Sequence, residues 1–242
     1  MANIEALVGR QTALWELRRR LEAERSEPPG TGPQAEPYRP CLLVSRECGG
    51  GGTSMARLVR ERLRWQIFDR EIVDEVARSA RVRRQLIDSV DERVRSGWRE
   101  FLRVLADGEG IGRESYLFHL RQVILSLGHH GDVIIVGRGA NYILPPECTV
   151  RVRLVAPIEV RCRCMAELKR ISLNKARRLV EQIDAERAAF VREAFGRDVN
   201  APEDYDLVLN TGVISLPEAA EITLAKLQAK LQVQPETAPC TK

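Results

Sequence analysis

The sequence predicts a three-layer α/β domain, a parallel sheet with helices on both faces, preceded by a tethered N-terminal helix. Three observations carry this. Short apolar runs alternate with helical patterns along residues 41–232, and strands that alternate with helices build a parallel sheet covered on both sides. Four consecutive glycines, Gly49 to Gly52, join the first apolar run to an amphipathic pattern. A stretch with five Pro and two Gly, residues 26–40, separates the domain from an apolar-striped segment before it and reads as a flexible linker.

Taken in order, Ile4, Leu7, Val8, Leu14, Trp15 and Leu21 recur near a 3.6 period and predict a helix within 1–25. CLLVS (41–45) is a buried strand, Met55, Leu58, Val59 and Leu63 mark the helix after the glycines, and WQIFD (65–69) is a second strand. Helical patterning continues through Val82, Leu86, Ile87, Val90 and Val94. After a Gly-rich break at 108–112, Leu117, Leu120, Ile124 and Leu127 predict a helix over about 114–128. DVIIVG (132–137) and TVRVRLVA (149–156) are strands, 158–195 is helical and highly charged, and DLVLNT (206–211) is the last strand. Ser215 and Glu218 have capping-box spacing ahead of a final helix at about 216–231, and a disordered tail is expected over 233–242.

Composition narrows the classes. A chain of 242 residues, 44% apolar and 30% charged, can bury a core without staples. No apolar run reaches the roughly 18 residues of a membrane span, and the N-terminus has no secretory pattern. The net charge of +4 argues against general nucleic-acid binding. Six cysteines without a C-x-x-C pattern predict reduced thiols and a cytoplasmic protein. Of 38 basic residues 33 are Arg, and the first Lys is Lys169, so a cation needed earlier in the chain must be Arg.

The central motif is SRECGGGGTS, residues 45–54. Glycines let main-chain N–H groups turn inward, and the helix that follows adds its own free N–H groups and partial positive charge. Together Arg46, Gly49, Gly50, Gly51, Gly52, Thr53 and Ser54 read as a phosphate nest. The alternative is a tight turn without a ligand. Against G-x-x-x-x-G-K-[ST], Thr53 takes the magnesium-ligand position, Gly52 the Lys position and Arg46 that of the first Gly.

SRECGGGG, WQIFDREIVDEVA (65–77), LRQVILSLGHHGDVIIVGRGANYIL (120–144), VRLVAPIEVRCRCM (152–165) and YDLVLNT (205–211) together resemble the cytidylate kinase-like family, a branch of the P-loop nucleoside monophosphate kinases. The resemblance implies a P-loop NTPase fold with a helical lid, ATP and Mg2+ as cofactors, and nucleoside mono- and triphosphates as partners. It also implies an acceptor site at Asp69, Arg70, Arg121 and Arg138, and lid arginines at Arg161 and Arg187, with Arg192 nearby. Gly139 and Val136 stand where relatives carry Asp. Arg138 and Asp69 also end predicted strands at the carboxyl edge, where open α/β sheets bind ligands. Most other arginines over 158–197 read as a solvated face beside Glu181, Asp184 and Glu186. His119, His129 and His130 show no triad or metal spacing.

Two functions remain open at this level. One is a kinase moving a γ-phosphate to a nucleoside monophosphate, with CMP or dCMP the default acceptor. The other is a non-catalytic nucleotide-binding regulatory module. In it, the N-terminal helix binds a protein partner or a second copy.

Overall fold

A computed structural model describes residues 4–25, 39–79, 82–84, 86 and 113–232. The linker reading of 26–38, the helical reading of 87–94 and the tail reading of 233–242 fall outside the described residues. The chain divides into two compact units. One comprises Pro40–Arg70 and Asp132–Gln234, and the other includes the described parts of Met1–Arg39 and Glu71–Gly131.

The first unit holds five parallel strands, β1 (Cys41–Arg46), β2 (Gln66–Phe68), β3 (Val133–Val136), β4 (Thr149–Val155) and β5 (Leu207–Asn210), in the order β2-β3-β1-β4-β5. Branched and apolar side chains make these runs suited to a sheet buried on its faces. The register pairs Val44 with Val136, and Ser45 with Arg153. The carboxyl ends of β1, β3 and β4 therefore lie together. One face carries Leu42, Val44, Ile134, Val136, Val150 and Val152, packed with Met55 and Val59 of α2 (Gly52–Leu63). Ala220, Leu224 and Leu227 of the C-terminal helix, Leu216–Gln232, complete that core. The expected capping box opens this helix: Ser215 N–H donates to Glu218 Oε2 at 2.7 Å, and Glu218 N–H to Ser215 Oγ at 3.3 Å.

In the second unit, α1 (Ile4–Arg25) buries Val8 and Trp15. The Trp15 ring stacks on His130 of α4 (Arg113–His130), centroids 3.9 Å apart. Leu14 and Leu17 remain more than half exposed. Tyr116 of α4 donates to Asp74 Oδ1 at 2.7 Å, which ties α4 to α3 (Arg70–Arg78).

The helical stretch 158–195 is two helices, α5 (Ile158–Lys169) and α6 (Leu173–Phe195), because Arg170 turns left-handed (φ +54°) and Ser172 caps the second. The charged periodicity runs across this break and hides it. Among the described residues Cys41, Cys48, Cys162 and Cys164 are free. No described helix is long and apolar enough to cross a membrane. With the last helix as α7 (Leu216–Gln232), the sheet unit carries α2, α5, α6 and α7.

Candidate functional site

The glycine loop leaves β1 and enters α2. Gly49 (φ +79°) and Gly51 (φ +78°) adopt the left-handed region. A Cβ at Gly49 would lie 2.6 Å from the Arg161 carbonyl oxygen, and one at Gly51 would lie 2.5 Å from Leu216 Cδ2. Conformation and close approach both demand glycine here. Gly50 N–H donates to Glu47 O at 3.1 Å, and Thr211 Oγ1 donates to Gly50 O at 3.1 Å. The helical ladder starts with Met55 N–H on Gly51 O at 2.9 Å. The N–H groups of Gly52, Thr53 and Ser54 thus enter no helical bond, and they sit at the positive end of α2. Such a terminus suits phosphate oxygens. Thr53 is half-buried in this first turn and Ser54 is exposed.

An acid–base clasp holds the loop. Arg161 of α5, buried, donates through Nε to Ala156 O at 2.8 Å and pairs with Glu47 Oε2 at 3.3 Å. Its Nη1 pairs with Asp184 Oδ2 of α6 and reaches Cys48 O at 3.3 Å. Asp184 Oδ1 accepts the Cys48 N–H at 2.7 Å, and Glu47 Oε2 accepts Ala156 N–H at 2.9 Å. Burial pushes the Cys48 thiol above its ordinary pKa, against the pull of Arg187.

Beside the loop lies a cavity of about 240 Å³ at the carboxyl ends of β1 and β3. Arg46, Arg70, Arg138 and Arg187 border it, with Glu186 the acidic residue of the lining. Arg138 sits at φ +57° in the Gly137-Arg138-Gly139 turn, a conformation unfavourable for a residue with a Cβ. Its guanidinium lies 5.1 Å from the Phe190 ring centroid. The Arg46 side chain passes over Gly52 and Gly137, where any Cβ would collide with it. Arg187 Nη1 donates to Arg46 O at 3.0 Å and lies 3.6 Å from Asp184 Oδ1. Burial lowers the Arg187 pKa, Cys48 and Asp184 oppose this, and Arg70 and Arg153 add to it. A guanidinium surrounded by like charge in a part-buried cleft is a receptor for anions.

The structure thus brings Arg46, Arg70, Arg138 and Arg187 to one cavity, next to the loop of Gly49 to Gly52. Asp69 is half-buried between β2 and α3 and is not part of the cavity lining. Arg161 is spent on the clasp, and Arg192 is exposed on α6 outside the lining. Arg121 lies on α4 in the other unit. Sequence reasoning missed Glu47, Asp184, Ser45 and Arg153. Asp184 read as one more charge on a solvated helix. Arg153 was legible only as a polar residue within a strand run. Among the described residues no group of three or more His, Cys, Asp or Glu gathers to hold a metal ion. The Thr53 hydroxyl in the first turn of α2 fits the role of a single protein ligand to a phosphate-bound Mg2+.

A glycine nest that closes a central parallel strand and opens a helix, in the order β2-β3-β1-β4-β5, defines a P-loop α/β protein. Residues 43–213 match the cytidylate kinase-like family, and the chain belongs to it. It is 31% identical over 108 residues to a cytidylate kinase of Ignicoccus hospitalis, covering 44% of this chain and 61% of the relative. It is 31% identical over 111 residues to one of Methanopyrus kandleri, covering 42% and 58%. The match thus spans about three-fifths of the length of these curated relatives. An uncharacterized protein from Eubacterium ventriosum has a similar solved structure, with TM-score 0.56, 16% identity, and coverage of 79% of this chain and 99% of that one.

Proposed function

We propose that the protein is a kinase that transfers the γ-phosphate of ATP to a nucleoside monophosphate, with CMP or dCMP the first acceptors to test. The observation that carries this reading is the adjacency of the glycine nest to the arginine-bordered cavity. Transfer of a phosphoryl group needs positioning and positive charge more than covalent help. The N–H groups of the loop and of the first turn of α2 bind the donor phosphates. Arg46 takes the place of the absent loop Lys. Arg187 neutralises charge on the group in transit, and Arg70 and Arg138 hold the acceptor phosphate. Arg161 positions the loop through Glu47 and Asp184 rather than touching substrate. Thr53 would hold Mg2+, which would supply positive charge to offset that of the phosphates. The cytidylate kinases among the relatives favour cytidine monophosphates as acceptors.

A second reading keeps nucleotide binding without transfer. It is favoured by the lack of any Lys before Lys169 and by the exposed Leu14 and Leu17 on α1 as a partner face. An ATP-dependent transfer screen over nucleoside monophosphates separates the two. The kinase reading expects ADP formation that depends on the acceptor and is lost, with nucleotide affinity, in Gly51→Val. ATP binding without turnover on any monophosphate selects the second reading.

A further inference from the structure

Arg153 is a buried cation, 4% exposed, in the middle of β4. A guanidinium cannot shed its proton in a protein, so its charge must be balanced where it sits. Among the described residues its partners are neutral. Nη1 donates to Ser45 Oγ at 2.9 Å, Nη2 donates to Asn200 Oδ1 at 2.7 Å, and the Tyr205 ring centroid lies 5.7 Å away. The carboxylate in this network, Asp198, is reached only through the Asn200 amide, whose Nδ2 donates to Asp198 Oδ1 at 3.2 Å. Ser45 and Tyr205 line the cavity, and Arg153 lies directly behind them, paired in register with Ser45 across the sheet.

The hydroxyl protons are then constrained. Tyr205 has one, and its shorter bond is to Val199 O at 2.8 Å. Ser45 Oγ already accepts from Arg153. The Tyr205 hydroxyl also donates toward it, 3.3 Å away, so Ser45 Oγ accepts twice and its own proton is left for the cavity. A phosphate oxygen in the cavity is a strong acceptor, and the guanidinium behind Ser45 makes that hydroxyl a better donor.

We propose that Ser45 and Arg153 form a buried relay at the cavity floor. In it the Ser45 hydroxyl donates to a substrate phosphate oxygen, and Arg153 supplies the balancing charge. Ser45 is the binding group, and Arg153 is a positioning residue that acts through it. The relay rests on reading the cavity as a substrate phosphate site.

The test measures melting temperature and calorimetric affinity of the full chain and of Arg153→Met, with CMP, cytidine and inorganic phosphate as probes. Loss of an unbalanced buried charge leaves the ligand-free melting temperature equal or higher. Affinity for CMP and phosphate falls about 10- to 100-fold, the worth of a hydrogen bond to a charged group, while cytidine is unaffected. A purely structural Arg153 gives the opposite pattern, a lower melting temperature with unchanged affinities, and overturns the relay. A wild-type chain that binds neither anion overturns it too. If phosphate behaves as expected and CMP does not bind, the nucleoside monophosphate reading falls and the relay stands. Should Arg153→Met fail to fold, Ser45→Ala decides. A loss of about tenfold in phosphate affinity supports the relay, and an unchanged affinity overturns it.

Discussion

Two glycine turns end neighbouring strands of one sheet, and they solve different problems. The loop after β1 offers main-chain N–H groups, and its shape is fixed by its own Glu47 together with Arg161 and Asp184 from the helices α5 and α6. The turn after β3 offers a side chain, Arg138, on a backbone that costs energy to hold. A backbone receptor needs residues without side chains and a rigid frame. A side-chain receptor tolerates strain in exchange for the direction in which its cation points. Stability and function should therefore fall together in the loop and part company in the turn.

The largest effect tests the frame of the loop. Arg161→Gln leaves Glu47 without its cation and Asp184 with only the more distant Arg187, 3.6 Å away, and should destabilise the fold by about 3 kcal/mol, read as a shift in the urea midpoint. Its nucleotide affinity should drop with it; a destabilised variant that binds nucleotide normally would separate the clasp from the nest. Next, Arg187→Ala should lower kcat by roughly 10²-fold with a smaller change in KM for ATP, as expected for a donor that acts in the transition state. Steady-state kinetics checks this, and near-normal turnover removes α6 from the chemistry.

The turn is tested by Arg138→Gly. Relief of the left-handed Cβ should raise the melting temperature, by about 1 kcal/mol of stability, while KM for the acceptor rises about tenfold through a lost charged hydrogen bond. Both moving down together would mean that Arg138 is a structural residue like Arg161. The smallest effect lies outside both turns. Burial raises the Asp206 pKa, but hydrogen bonds from the Arg151 side chain and main chain more than offset it and hold the carboxyl below its ordinary value. Its contribution is therefore fully present above the unfolded carboxylate pKa, about 3.9, and is lost as pH falls through the lower native value. Asp206→Asn should flatten the acid limb of the stability curve, followed by urea midpoints below pH 5, and leave nucleotide binding alone.

The contrast also explains what could be read in advance. The glycine nest was legible because a backbone receptor writes itself as glycines, and the strands were legible because buried parallel strands are short, branched and apolar. Arg138 was visible as a cation at a strand end. The clasp was not, since Glu47, Arg161 and Asp184 meet only through tertiary packing: the resemblance makes Arg161 a lid arginine, and Asp184 reads as one charge of a solvated face. The break between α5 and α6 was hidden for a similar reason: Arg170 carries no glycine-like signature, yet it adopts φ +54°. The apolar stripe of α1 was legible, but its stacking of Trp15 on His130 was not.

The strand order has a consequence for how the chain reaches this state. β1 is the central strand, but its neighbours come late: Leu42 pairs with Ile134, and Cys41 with Thr149. On a ribosome, its apolar run emerges long before either partner strand, with only α2 close behind to cover it. Refolding speed is then set by the entropy of closing that long connection rather than by helix formation. The interval of bare edges is when nascent chains are prone to associate, so synthesis of this protein places its greatest demand on chaperones before β3 and β4 appear.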